Sequence, residues 1–319
     1  MFRQAQGHAE QAIFDADQGV ARRRSEVLLD RLRRYCNFDQ PGRVLDVGCG
    51  NGPTLRVLSE SAPSWALYGH EISDASEPAL RVIPGFRHLY SGELRDLPGG
   101  FDLIVLSHAL EHMPDPVLGL AALREKLTPT GYLFVQVPDA RVNTFDLIVA
   151  DHRSHFDRDV LSDAAKRAGL SDVVVADDWV GKELSLVASH GMGRAIAPRE
   201  NVSERGIQML AAQVEWLGET IEAASDVARR SARFGLFGTA IAATWLFGAL
   251  RSKVDFFVDE DPSRVGQEHE RRPILSPHDV PRGATVFVPL LPAIAKAATA
   301  RLAALNVLAH GPPEFDLQR

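Results

Sequence analysis

Residues 43–58 read RVLDVGCGNGPTLRVL, and this stretch decides the fold. A short apolar run, RVLDV, has the length of a buried strand; Gly48, Gly50 and Gly52 follow, and then a helix-like run opened by Pro53. Glycines at a strand-to-helix turn let the backbone approach a ligand closely, and the first N–H groups of the following helix are unpaired donors. The turn is therefore expected to hold something anionic or strongly polar. The next apolar run, WALYGHE at 65–71, ends in Glu71, about 20 residues beyond the last glycine, where a carboxylate can accept hydrogen bonds from a ribose diol.

Outward from this turn the same alternation continues. The apolar runs FDLIVL (101–106), YLFVQV (132–137), DVVVA (172–176) and LSLVA (184–188) are separated by helix-like stretches such as DPVLGLAALREKL (115–127) and RDVLSDAAKRAG (158–169). Strands alternating with helices predict an α/β fold, a mostly parallel sheet with helices on both faces. Ahead of it, residues 21–36 place Val27, Leu28, Leu32 and Tyr35 at helical spacing, which predicts a leading amphipathic helix. A long helix is predicted over 201–230, with Asn201 as cap and Glu204 completing a capping box. Its Ile207, Leu210, Val214, Leu217, Ile221, Ala224 and Ala228 form a heptad-like seam, to be packed either against a neighbouring domain or against a second copy in a homodimer. Beyond it, RFGLFGTAIAATWLFGAL (233–250), VDFFVDEDP (254–262) and TVFVPLLP (285–292) restart the α/β pattern. The expected organisation is a helical extension over 1–40, a ligand-binding α/β domain over 41–193, a linking helix over 194–230 and a smaller Rossmann-like α/β domain over 231–319.

The 319 residues are 45% hydrophobic with a formal net charge of −7, which excludes a disordered chain and a broad cationic surface for nucleic acid. The uncharged stretch 234–250 is shorter than a membrane span and broken by glycines, so a buried strand, turn and helix are expected there. Cys36 and Cys49 show neither CxxC nor metal-ligand spacing, and the first ten residues carry no apolar segment of a secretory signal; a reducing cytoplasm is the expected location.

With the residues that follow it, the glycine turn resembles that of the class I S-adenosylmethionine-dependent methyltransferases. Their loop is written LDxGxGxG, an acid ends their second strand, and their fourth and fifth strands look like FDLIVLSHALEHMPDP (101–116) and LREKLTPTGYLFVQVPD (123–139) here. A dinucleotide-binding domain prefers GxGxxG, from which DVGCGNG departs. The resemblance implies S-adenosylmethionine as cofactor, with S-adenosylhomocysteine as product. It places Asp46 near the ammonium end of the methionyl group, with Gly48, Cys49, Gly50 and Gly52 lining it. Glu71 would hold the ribose and Ile72 pack on the adenine; Glu93 and Leu94 would contact the adenine; Ser107 and His108 would close the methionyl pocket.

The acceptor side is read from two places. His108 and His112 would share one face of a helix, but HALEH is not HExxH and offers no third ligand, so pocket-forming polar residues are expected and no metal. The segment 145–170, FDLIVADHRSHFDRDVLSDAAKRAGL, is similar to one in sugar C-methyltransferases: Asp151 and His152 fall on a Glu–His pair and His155 and Phe156 on a Tyr–Phe pair, while Val149 and Ala150 replace a tyrosine and a histidine. An alcohol or carbon acid is a poor nucleophile until a base assists, and His152, with Asp151 or another carboxylate beside it, is the candidate; His112 and His108 are the others. Residues 230–305 also resemble the C-terminal domain of those enzymes, through VDFFVDEDPSRVGQ, RRPILSP and ATVFVPLLPAIAKA. There Gly238 and Asp259 stand about 20 residues apart, as for a second nucleotide pocket, although the glycine turn is degenerate and a structural or acceptor-presenting role fits as well. The expected activity is methyl transfer to a sugar or glycan-type acceptor. The alternatives are a lipid-linked or natural-product acceptor, or a silent S-adenosylmethionine-binding interaction protein.

Overall fold

The computed structural model describes residues 12–15, 20–191 and 204–315. They form two compact units: one runs to Asp146 and resumes from Ala150 to residue 191, and the other holds Leu147–Val149 with residues 204–315.

In the first unit a hairpin of β1 (Ala12–Asp15) and β2 (Val20–Arg23) precedes α1 (Arg24–Leu32). The leading helix therefore starts later than its spacing predicts. The backbone N–H of Arg23 donates to Glu26 Oε2 at 3.1 Å, a capping interaction that fixes the helix start at Arg24. Then come β3 (Arg43–Val47), α2 (Pro53–Ser61), β4 (Ala66–Glu71), α3 (Glu77–Arg81), β5 (Phe86–Ser91), β6 (Phe101–Ser107), α4 (Pro116–Arg124), β7 (Leu127–Pro138), α5 (Arg158–Arg167), β8 (Ser171–Ala176) and β9 (Glu183–Ser189). The seven-stranded sheet has the order β5-β4-β3-β6-β7-β9-β8. It is parallel from β5 to β7, while β9 runs antiparallel to both its neighbours.

The two faces of this sheet are sorted by the period-two alternation of its strands. Val44, Leu103, Val105, Phe134 and Val187 pack on one side with Leu28, Leu29 and Leu32 of α1 and Leu55 and Leu58 of α2. Leu45, Val47, Ile104, Leu106, Leu133, Val135 and Leu186 pack on the other with Leu120 and Leu123 of α4 and Leu161 of α5. Buried on both faces, these strands read as nearly unbroken apolar runs, as central strands of α/β sheets do. Strand order reverses between β3 and β6, so the loops leaving their carboxyl ends open a crevice.

In the second unit α6 (Glu204–Arg230) precedes β10 (Phe234–Phe237), α7 (Ile241–Leu250), β11 (Phe256–Val258), β12 (Glu268–His269), β13 (Arg272–Leu275), β14 (Thr285–Phe287), α8 (Pro292–Ala304) and β15 (Leu308–His310). Its sheet has the order β12-β13-β11-β10-β14-β15, parallel apart from β12, so it too reverses beside its first strand. The stretch 234–250 is the strand, turn and helix expected of it, and among the described residues no helix is long and apolar enough to cross a membrane. Asn201, the expected cap of α6, lies outside the described residues. The heptad-like seam is not one buried face. Gln213, Trp216, Leu217, Thr220 and Ala224 are buried, whereas Ile207 and Val214 are exposed. Trp216 fixes this stripe: its indole donates to the Pro313 carbonyl at 3.0 Å and stacks on Phe315, which turns the 213/217/220/224 face inward. The helix expected as a linker thus packs inside the second unit.

Candidate functional site

The turn after β3 is held open by its own glycines. Gly48, Gly50 and Gly52 have φ of +73°, +51° and +77°, a region that side chains with a Cβ enter at a cost. A Cβ on Gly48 would meet that of Ala109 at 2.9 Å, and one on Gly52 would meet Leu80 Cδ2 at 2.6 Å and Ile83 Cδ1 at 2.7 Å. Packing therefore demands glycine at both. Gly50 differs, because a Cβ there meets nothing within 4 Å. Its N–H donates to Glu71 Oε1 at 2.8 Å, and the other Glu71 oxygen accepts from the Ile72 N–H at 3.1 Å. The carboxylate thus bridges the turn to the end of β4 beside an open space, and Ile72, 83% exposed, offers a bare apolar face there. An uncovered isoleucine beside a strand-end carboxylate and an unfilled glycine cradle fits a nucleoside: the acid for the diol, the aliphatic side chain for the base.

The other expected cofactor residues fall along the same edge of the sheet. Asp46 is buried within β3, and Cys49 is buried in the turn with its thiol pushed well above the ordinary range, chiefly by burial. Glu93 is exposed and precedes a short turn, Leu94–Asp96, after β5. Ser107, at the end of β6, donates to Gln136 Oε1 at 3.2 Å. His108 follows with φ +53°, left-handed for a residue with a side chain. Its ring lies between two buried carboxylates, 3.2 Å from Glu111 and 3.3 Å from Glu183, and Glu183 also pairs with Arg24 at 2.7 Å. Burial opposes charge on this imidazole, but the bonds to Glu111 and Glu183 outweigh it and push its pKa up to about 9. At neutral pH His108 carries its proton, as the cation of that pair rather than a vacant base.

Acceptor-side candidates meet beyond β6 and β7. The chain between β7 and α5 is closed at its neck, where Asp139 pairs with Phe156 and the Ala140 N–H donates to the Phe156 carbonyl at 2.8 Å. Its far end is tied to the turn after β6, since the N–H groups of Arg153 and Ser154 both donate to the Glu111 carbonyl, at 2.8 and 3.3 Å. Between these ties His152 Nδ1 lies 2.6 Å from Asp146 Oδ1, and His155 Nδ1 lies 2.5 Å from Asp146 Oδ2. Asp146 is 3% exposed. Burial would raise its pKa, but the two histidine bonds outweigh burial and lower it. For His152 burial works against the charge and Asp146 more than restores it, so this imidazole is raised. With Nδ1 engaged, Nε2 is the nitrogen left to face a reactant.

Asp151 is not the partner that its adjacency to His152 suggests. Its side chain is 76% exposed and lies 3.4 Å from His112 Nδ1, whose closer contact is the Asp151 carbonyl at 3.2 Å. Next to a histidine in sequence, an aspartate in this loop points elsewhere. Asp146 reaches His152 because the short turn Thr144–Ile148 brings it back under the ring. Asp146 went unassigned in the sequence, as did Glu111 and Glu183; the one available signal was an acid standing before both histidines in FDLIVADHRSH. The rings of His112 and His152 meet edge to face at 4.7 Å, so the turn after β6 and the loop after β7 share one pocket.

In the second unit Gly238 has φ +82° at the turn after β10, but the acid expected to serve a ribose is engaged. Asp259 accepts from Thr239 Oγ1 at 2.9 Å and from the Asp261 N–H at 3.0 Å, with Arg264 3.4 Å away.

Residues 20–175 match the family described as "Methyltransferase domain". The trans-aconitate 2-methyltransferase of Deinococcus radiodurans is 34% identical over 115 residues, covering 35% of this chain and 41% of that protein. A ubiquinone biosynthesis O-methyltransferase of Thiobacillus denitrificans is 34% identical over 122 residues, covering 34% of this chain and 49% of its own. The chain thus spans less than half the length of either relative. An S-adenosylmethionine-dependent methyltransferase structure from Clostridium acetobutylicum aligns at 12% identity with a TM-score of 0.43, over 52% of this chain and 90% of that one. Residues 20–175, which contain the glycine turn and the strand-end acid, match a methyltransferase domain of the S-adenosylmethionine-dependent kind.

Proposed function

We propose that the protein transfers the methyl group of S-adenosylmethionine to an oxygen or carbon of a sugar or glycan-type acceptor, at the carboxyl edge of the first unit's sheet. The observation that carries the acceptor side is the 2.6 Å bond between Asp146 and His152, which holds a raised imidazole with Nε2 free across the pocket from His112. The cofactor supplies an electrophilic methyl on a sulfonium. As the acceptor oxygen or carbon forms its bond to that methyl, the C–S bond breaks with its electron pair going to sulfur. The acceptor's proton passes to His152 Nε2 and from there to water, with Asp146 stabilising the imidazolium. Gly50, Glu71 and Ile72 hold and orient the nucleoside end of the donor.

What supports a sugar is the resemblance of 145–170 and 230–305 to sugar C-methyltransferases. The relatives named for trans-aconitate and for ubiquinone biosynthesis favour a second reading, a carboxylic or phenolic acceptor on the same pocket. A cytoplasmic setting agrees with two buried free thiols. The test is mass spectrometry of the full chain incubated with S-adenosylmethionine and a panel of nucleotide sugars, free glycans, phenols and tricarboxylates. A methyl increment on a sugar supports the first reading and one on a phenol or acid the second. Cofactor binding without transfer to any member would favour a silent binding protein and overturn both.

A further inference from the structure

We infer that Glu111, His112 and His152 form a binding site for a divalent transition-metal ion, zinc or one of like preference. One donor atom from each lies within 4.8 Å of the others. Two imidazole nitrogens with one carboxylate oxygen are a donor set for zinc and its neighbours rather than for magnesium or calcium, which favour oxygen throughout. Bonds of ~2.0–2.2 Å place donors at most about 4.4 Å apart, so closing on an ion asks these side chains to move by well under ~1 Å. The third ligand that HALEH lacks comes from the loop after β7, and the Arg153 and Ser154 amide bonds to the Glu111 carbonyl hold it in place.

Two independent features point at an ion. Each histidine has its Nδ1 engaged, His152 by the Asp146 carboxylate at 2.6 Å and His112 by the Asp151 carbonyl at 3.2 Å, which leaves Nε2 to serve as the ligand. Metal-binding histidines are held in this way, one nitrogen bonded to a carboxylate or carbonyl and the other presented to the metal. Second, Glu111 is fully buried, and while Oε1 meets His108, Oε2 has no hydrogen-bond partner. A buried carboxylate oxygen left bare is costly, and coordination would satisfy it. Three protein donors leave a position open, as in zinc sites that bind a reactant. An ion there would make an acceptor hydroxyl at the open position more acidic, and while it is bound His152 would serve as a ligand in place of acting as the base. This role rests on the proposed methyl transfer, whereas the binding itself does not.

The experiment is a titration of the chelator-dialysed full chain with Co²⁺, read by visible absorption, and with Zn²⁺, read by calorimetry. One ion per chain is expected, with Co²⁺ bands showing nitrogen and oxygen donors. His112→Ala, at a partly exposed side chain, and His152→Ala should lose the bands while the circular dichroism stays native. Asp146→Asn, which alters the carboxylate that orients His152 and also bonds His155 while leaving all three proposed ligands in place, should weaken binding ~10–100-fold. No stoichiometric binding, or binding unchanged in His112→Ala and His152→Ala, would overturn the site. Should Glu111→Gln fail to fold, the two histidine variants and the wild-type spectrum still decide. Intact metal binding with no methyl transfer to any acceptor would strike the methyltransferase reading and leave the site standing.

Discussion

Alanine placed at two glycines of the same turn should produce opposite defects. At Gly50 and Gly52 the backbone is left-handed, so a Cβ costs about 1–2 kcal/mol at either. At Gly52 that Cβ also runs into Leu80 Cδ2 and Ile83 Cδ1, whose side chains are 0% and 3% exposed and have no room to swing aside. Overpacking of this kind adds about 1–3 kcal/mol. Gly52→Ala should therefore lose about 2–5 kcal/mol and Gly50→Ala only about 1–2. Cofactor affinity should rank the other way, because only Gly50 faces open space beside Glu71; Gly50→Val should bind S-adenosylmethionine least. Urea unfolding followed by hydrogen exchange of β3 and β4 peptides measures the first ranking, and calorimetry with S-adenosylmethionine the second. Equal destabilisation of the two alanine variants, or normal affinity in Gly50→Val with loss in a folded Gly52→Ala, refutes the assignment of packing to one glycine and ligand approach to the other.

Glu71→Gln should weaken S-adenosylmethionine by ~1.5–3 kcal/mol, the size of a hydrogen bond to a charged group; calorimetry showing unchanged affinity would remove this acid from the cofactor site. Asp146→Asn and His152→Ala should keep cofactor affinity and slow methyl transfer by ~10²–10⁴-fold, with Asp151→Asn near wild type; an Asp151 defect larger than that of Asp146 would reverse the pairing. Burial, helped by Asp102, pushes the Cys36 thiol up to about 12, and burial raises Cys49 as well, so both stay protonated in mildly alkaline solution. Neither should react with iodoacetamide at pH 8 until denaturant is added, and mass spectrometry finding rapid native labelling of Cys49 would mean that the turn opens.

The central strands of the first unit were legible because burial on both faces leaves apolar runs with nothing to interrupt them; β3 occupies the very residues, 43–47, that the sequence marks. Strand β5 was not legible. At the edge of the sheet it buries Leu89 alone, so FRHLYS carries almost no apolar signal and its pairing with β4 is a tertiary matter. The reversed direction of β9 was equally hidden, since LSLVA reads the same whichever way it runs. On the site, a glycine turn and a strand-end acid are local patterns with local geometry. His152 was found by its type and Asp146 was missed, because which carboxylate lies under a ring depends on how a loop folds back. The seam of α6 failed for a similar reason: a heptad shows that a helix is amphipathic, but Trp216 and its partner Pro313, nearly a hundred residues away, decide which side faces in.

The loop between β7 and α5, pinned at its neck by Asp139 and Phe156 and at its far end to Glu111, separates two evolutionary problems. Residues within it can be exchanged without moving a sheet strand or the glycine turn, so a lineage could trade one acceptor for another while its grip on the methyl donor went untouched. Drift would then be expected to collect inside the loop and to stop at its fastenings.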